Sequence, residues 1–139
     1  MLASQGLRVA LVNISGAQQS AHGHSDVRAY SLNSAAQRML MDLRCWPEGA
    51  ACTPILKMHI EGDQGGNLEF SAAQQGVEAL NWMVDVPTLE NNLAQAIGFQ
   101  PLIQEVAESV KAPLTVICEG RASQTRAELG VAFDVKHYE

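Results

Sequence analysis

The chain is poor in the features that mark several whole classes of protein. Its 139 residues hold only three cysteines, Cys45, Cys52 and Cys118. So odd and scattered a set gives no disulfide framework, and a reduced, cytoplasmic protein is the expectation. Positive charge is scarce too: nine Lys and Arg stand against fifteen Asp and Glu, a net charge of −6. That balance argues against a nucleic-acid or anionic-membrane surface. No apolar run approaches the roughly 20 residues of a membrane span. The first residues lack a basic stretch followed by a long apolar one, so no signal peptide is expected. His22 and His24 stand close together. No Cys or carboxylate cluster matches their spacing, so no metal site is expected. Internal repeats and low-complexity segments are absent.

What is present is a core-forming composition. Hydrophobic residues make up 47% of the chain and charged residues 17%. A single domain is expected, and one of this size buries roughly 70% of its unfolded surface. Residues 2–6 read as the last turn of a helix, with Gly6 suited to the left-handed position past its end. Residues 7–12 are nearly continuous apolar, as in a parallel strand covered on both faces, and end at Asn13. Residues 14–31 read as loop. A helix is predicted over 34–46, capped by Asn33 or Ser34, with Ala36, Met39, Leu40 and Leu43 on one face and Pro47 as its stop. Residues 54–61 alternate as a half-exposed strand and pair as a hairpin with 68–70 across a glycine-rich turn. His59 falls on the polar face of that hairpin.

Residues 80–86 form a further strand. Pro87 then opens a helix over 88–97, with Leu89, Leu93, Ala96 and Ile97 on one face and Gly98 at its end. Residues 101–110 fit a helix by spacing, while 99–106 also fit a strand. The most informative stretch is 114–126. An apolar run, Leu114 to Cys118, reads as a buried strand ending abruptly at Glu119 and Gly120. Ser123 and Arg126 follow, three residues apart. A strand that ends in a carboxylate and a glycine places charge and a flexible backbone at a sheet's carboxyl edge, where open α/β sheets bind ligands. A short helical stretch over 126–129 and an apparent strand over 131–135 complete the pattern.

Several of these motifs resemble one family. Glu119-Gly120 followed by Ser123 and Arg126 is similar to the second nucleotide-contacting motif of FAD-dependent aromatic hydroxylases, which has Asp-Gly, Ser and Arg. Residues 5–12, Gln-Gly-Leu-Arg-Val-Ala-Leu-Val, resemble that family's junction between first helix and second strand. There the strand ends in an acid that bonds the adenosine ribose, and Asn13 holds that place here. Asp26, Arg28, Leu32 and Asn33 match its Asp-x-Arg-x-x-x-Leu-Asn segment, in which the Arg lies near the cofactor. A guanidinium suits a pyrophosphate because it offers a planar fork of donors. The helix end at Trp46 and Pro47 is similar to that of the ubiquinone-pathway hydroxylases, with Trp46 as a packing residue. Pro87 stands where the family often has a cofactor-contacting Arg, so that contact is not expected.

The resemblance is therefore to the FAD-dependent monooxygenases of ubiquinone biosynthesis, aromatic-ring hydroxylases related to p-hydroxybenzoate hydroxylase. It implies an α/β fold: a single, partial Rossmann-like FAD-binding domain over 1–139, with a small β-hairpin or sheet insertion over 55–86 toward the substrate side. It implies Asn13, Arg28, Glu119, Gly120, Ser123 and Arg126 as cofactor-binding residues and leaves the catalytic ones unknown. The full-length family uses FAD, NAD(P)H and oxygen to hydroxylate a small aromatic or prenylated phenol, and only that full-length enzyme would associate peripherally with a membrane. The flavin carries that chemistry, and the protein binds and orients it.

Two of the family's motifs are missing. No G-x-G-x-x-G occurs, so the pyrophosphate-holding helix start is absent, and the C-terminal Gly-Asp segment is absent as well. The usual strand order puts strand one at the sheet's centre. Without it, the strand at 7–12 has an open apolar edge, and a homo-oligomer or strand-exchanged dimer is expected. Two readings stand: a fragment of a flavin monooxygenase, inactive by itself, and a non-catalytic α/β binding or assembly module derived from that scaffold. A hydrolase using Ser123 or a cysteine is disfavoured, because no G-x-S-x-G occurs and no His has a placed acid partner.

Overall fold

The computed structural model of the chain describes residues 1–12, 26–132 and 134–136, so Asn13, His22 and His24 lie outside the described residues. The described residues form a mixed α/β structure of several small sheets and helices. The chain divides into two units, Met1–Glu108 and Ser109–Glu139.

The first unit opens with a tight turn, Ala3–Gln5, closed by Gly6 at φ 81°, whose N–H donates to the Ala3 carbonyl. Glycine meets that left-handed geometry without a Cβ clash. Strand β1 (Val9–Val12) then pairs in parallel with a strand whose place in chain order makes it β7 (Ile103–Val106), Val9 opposite Ile103 and Val12 opposite Val106. Of the two readings of this late segment, the strand holds, because Ile103 and Val106 find a ladder beside β1. Cover on both faces is incomplete: Val9, Leu11 and Val12 are half-buried and Ala10 is exposed.

The main core belongs to an antiparallel sheet. Strand β6 (Asn81–Asp85) lies between β2 (Ala29–Leu32) and β3 (Cys52–Ile55), with Val84 opposite both Tyr30 and Cys52. Its side chains alternate, Trp82 and Val84 buried and Met83 exposed, as a strand with one covered face requires. Helix α1 (Ser34–Asp42) is capped by Asn33, whose Oδ1 accepts from Ala36 N–H at 2.9 Å. It ends well before Pro47, because Arg44 turns left-handed at φ 57° and Cys45 N–H closes back on the Leu40 carbonyl. Helix α3 (Val86–Gly98) is capped by Asp85, which accepts from Thr88 N–H at 2.9 Å and from Thr88 Oγ1 at 2.5 Å. It runs through Gly98 to a cap at Phe99 in ordinary right-handed geometry, so Gly98 is not its stop. Leu40, Cys45, Ala79, Trp82, Val84 and Leu89 form the core, with Trp46 packed edge-on to Trp82 at 6.1 Å between ring centres. A Leu or Val side chain fully buried in such a core contributes about 1.5–3 kcal/mol.

The predicted 54–61 strand splits at Leu56. β3 pairs with β6, while β4 (Lys57–Glu61) pairs with β5 (Asn67–Ser71). Leu56 supplies its carbonyl to Ala72 N–H, at the start of the one-turn helix α2 (Ala72–Gln75), and Ile55 supplies its own to Leu80 N–H. The backbone thus changes partners between two adjacent residues. Register sets Met58 opposite Phe70 and Ile60 opposite Leu68 on one face of the hairpin, and all four are exposed.

The second unit overturns the sequence reading most. Residues 114–118 form no strand, and Leu114, Val116 and Ile117 are 70, 63 and 39% exposed. An apolar, β-branched run becomes a strand only beside a hydrogen-bonding edge, and among the described residues none pairs with it. No strand forms in the described part of 131–135 either. The regular element here is helix α4 (Gln124–Glu128), capped by Ser123.

Candidate functional site

Four of the predicted residues come together in the second unit. Glu119, Gly120, Ser123 and Arg126 line one small pocket of about 180 Å³ with Ile117, Leu129 and Val131. Local chemistry builds it. Gly120 takes φ +73°, and its carbonyl accepts from Ser123 N–H at 3.3 Å, closing the turn. Ser123 Oγ accepts from Arg126 N–H at 3.1 Å, the usual bond of a helix N-cap. Ser123 Oγ in turn donates to Glu119 Oε2 at 2.9 Å, and Thr125 N–H donates to the same oxygen at 3.1 Å. Thr125 Oγ1 hydrogen-bonds to the other carboxylate oxygen. Thr125 first, then Ser123, hold the Glu119 carboxyl below its ordinary value of 4.5, because hydrogen bonds to the charged form favour it. Arg126 donates from Nη2 to the Arg121 carbonyl at 2.9 Å.

Thr125 is the residue that the sequence reading missed. Its signal is positional: it lies two residues past the cap, where both its N–H and its hydroxyl face a carboxylate that precedes the helix. Together Glu119, Ser123 and Thr125 form a double cap on α4.

Arg28 belongs to the first unit, just ahead of β2. Its guanidinium grips Asp26 through Nε at 3.0 Å and Nη2 at 2.7 Å, and Glu90 through Nη2 at 3.4 Å. This pairing lowers the Asp26 carboxyl and raises the guanidinium further. Asn13 lies outside the described residues. His59 sits on the hairpin's polar face across from Glu69, with Nε2 3.5 Å from Glu61. Burial pushes the Cys52 thiol up, against a hydrogen bond with Trp46 that lowers it, which keeps it from being a ready thiolate. The Ser123 hydroxyl serves the helix cap and Glu119. Among the described residues, no group of His, Cys, Asp and Glu could hold a metal ion, and no helix is long and apolar enough to cross a membrane.

A second cavity lies in the first unit, an open cleft of about 1410 Å³ walled by α1, α3 and the N-terminal turn. Arg38, Arg44, Asp42 and Glu48 reach it, with Trp46 and Phe99. Its charges are balanced and its mouth is wide, so it commits to no ligand class.

A dinucleotide such as FAD needs N–H donors and a cation at its pyrophosphate and a hydrogen-bonding group at its ribose. In this chain the Arg28 guanidinium is held by two carboxylates, and the Glu119 carboxylate by α4. Arranged this way, the described residues do not fit FAD by themselves. No protein-family model matches the chain, and no curated protein matches it.

Proposed function

We propose that this chain is a scaffold piece of an FAD-dependent aromatic-ring monooxygenase, of the kind that serves ubiquinone biosynthesis, and that it needs further polypeptide to hold its cofactor. The observation that carries this reading is the parallel pairing of β1 with β7, Val9 beside Ile103 through Val12 beside Val106. It sets the strand whose end would meet a ribose into a parallel ladder, entered from the Gly6 turn, as a Rossmann-like FAD-binding sheet would require. Such an enzyme places one atom of dioxygen on an aromatic ring and the other in water, with two electrons from NAD(P)H. The groups assigned to this chain in that reading are Asn13 at the ribose, Arg28 near the pyrophosphate, and the Glu119, Gly120, Ser123 and Arg126 turn.

A second reading, a non-catalytic binding or assembly module built on the same scaffold, is favoured by a different observation. Glu119 accepts from Ser123 and Thr125 inside its own turn, as a structural cap does. One experiment separates the two. The chain is fused behind a strand, a G-x-G-x-x-G turn and a helix, and titrated with FAD by flavin fluorescence. The monooxygenase reading expects stoichiometric FAD in the fusion and none in the unfused chain. No binding by either protein favours the module. Tight binding by the unfused chain overturns the account of both sites.

A further inference from the structure

Two features of this molecule each lack what the other offers. Residues 114–118, Leu-Thr-Val-Ile-Cys, are strand-formers held open to solvent. Strand β1 is apolar, half-buried and, among the described residues, laddered on one edge alone. Two-stranded parallel sheets do not stand well by themselves, since parallel sheets need further strands and cover on both faces. An open edge of this kind is a template for another chain.

We infer that residues 114–118 of one copy add as a strand to the free edge of β1 in a second copy, and that the reciprocal addition closes a two-fold dimer. Charge sets the direction. In an antiparallel addition Val9 faces Cys118 of the second copy, Leu11 faces Val116, and Arg8 comes beside Glu119. In the matching parallel register Val9 faces Leu114 and Arg8 faces Pro113, so no opposite charge meets Arg8. Arg8 and Glu119 are both exposed. The Arg8–Glu119 contact also offsets, locally, the repulsion between two chains of net charge −6.

Reciprocal addition is isologous, so it closes at two copies and does not propagate. Pro113 and Gly120 bound the donor segment, and proline resists extension of the ladder beyond it.

This inference is independent of the flavin reading, and its test needs no cofactor. The full chain is examined by sedimentation over a concentration series, as the natural sequence and as Val116→Lys, a change in an exposed segment that leaves each unit's core untouched. Dimer formation is expected, weakened roughly tenfold or more by the lysine, which the added strand would have to bury. In parallel, Val9→Cys is oxidised in a mixture of isotopically heavy and light copies, and disulfide-linked peptides are mapped by mass spectrometry. A bond between position 9 and Cys118 that joins heavy to light is expected. Sedimentation as a monomer throughout, a dimer indifferent to Val116→Lys, or a 9–118 bond confined within single copies overturns the proposal.

Discussion

Strand β6 and the segment 114–118 are equal in length, and their fates are opposite. β6 reads Asn-Trp-Met-Val-Asp, and the segment reads Leu-Thr-Val-Ile-Cys. By side-chain preference the second is the better strand, with Thr, Val and Ile in succession. Yet β6 is laddered on both edges with Trp82 and Val84 buried, while the segment is exposed and unpaired among the described residues. Propensity nominates a strand; a neighbour with free N–H and C=O groups makes one. β6 has β2 and β3 within its own unit. The segment's unit offers it helix α4 and a capped turn.

The sharpest way to test this contrast is to truncate one side chain in each stretch. Trp82→Ala removes a buried ring together with its edge-on contact to Trp46, and is expected to cost about 3–5 kcal/mol in urea unfolding. Val116→Ala in dilute monomer should stay within about 0.5 kcal/mol. Equal losses would erase the distinction between the two stretches.

Smaller effects probe what frames the sheet. Asn33→Ala removes the cap of α1 and should lower stability by about 1 kcal/mol. Arg44→Gly relieves a left-handed, non-glycine residue at the end of that helix and should raise stability by up to about 1 kcal/mol; a loss would mean that the Arg44 side chain contributes more than its backbone strains.

On the other side of the comparison, the Glu119 cap gives the second unit a pH dependence. Its carboxyl is held below 4.5 in the folded form. Its contribution is therefore complete above 4.5 and is lost as pH falls through the lower, folded value. A carboxyl-carbon NMR titration should place the Glu119 midpoint below 4.5, and Thr125→Val should move it upward. A midpoint at or above 4.5, unchanged by the valine, would show that the cap does not form. Arg28→Ala has the smallest expected effect: the pair with Asp26 is exposed, and breaking it should leave the unfolding midpoint unchanged.

Much of the first unit was legible in the residues because its signals are local. Gly6 ends a turn, Asn33 and the apolar face around Leu40 start and seat α1, and Pro87 marks the start of α3, though the Asp85 cap was not read from the residues. The β7 strand was half legible, since spacing fitted both helix and strand until β1 supplied a ladder. The split at Leu56 was not, because Pro54 to Glu61 alternates without a break and only the partner changes. At the candidate site, Glu119, Gly120, Ser123 and Arg126 line one pocket. Their shared task was not foreseen: a carboxylate before a glycine reads equally as a ligand edge or a helix cap, and only the bonds from Ser123 and Thr125 show it acting as a cap.

Amide hydrogen exchange at residue resolution, across a dilution series of the full chain, tests the central contrast most directly. Trp82, Met83 and Val84 should exchange only through global unfolding at every concentration. Thr115, Val116 and Ile117 should exchange rapidly in dilute solution and slow down as the dimer forms. Slow exchange at those three residues in the dilute monomer would contradict the account, because it would mean that they already have a ladder within a single copy.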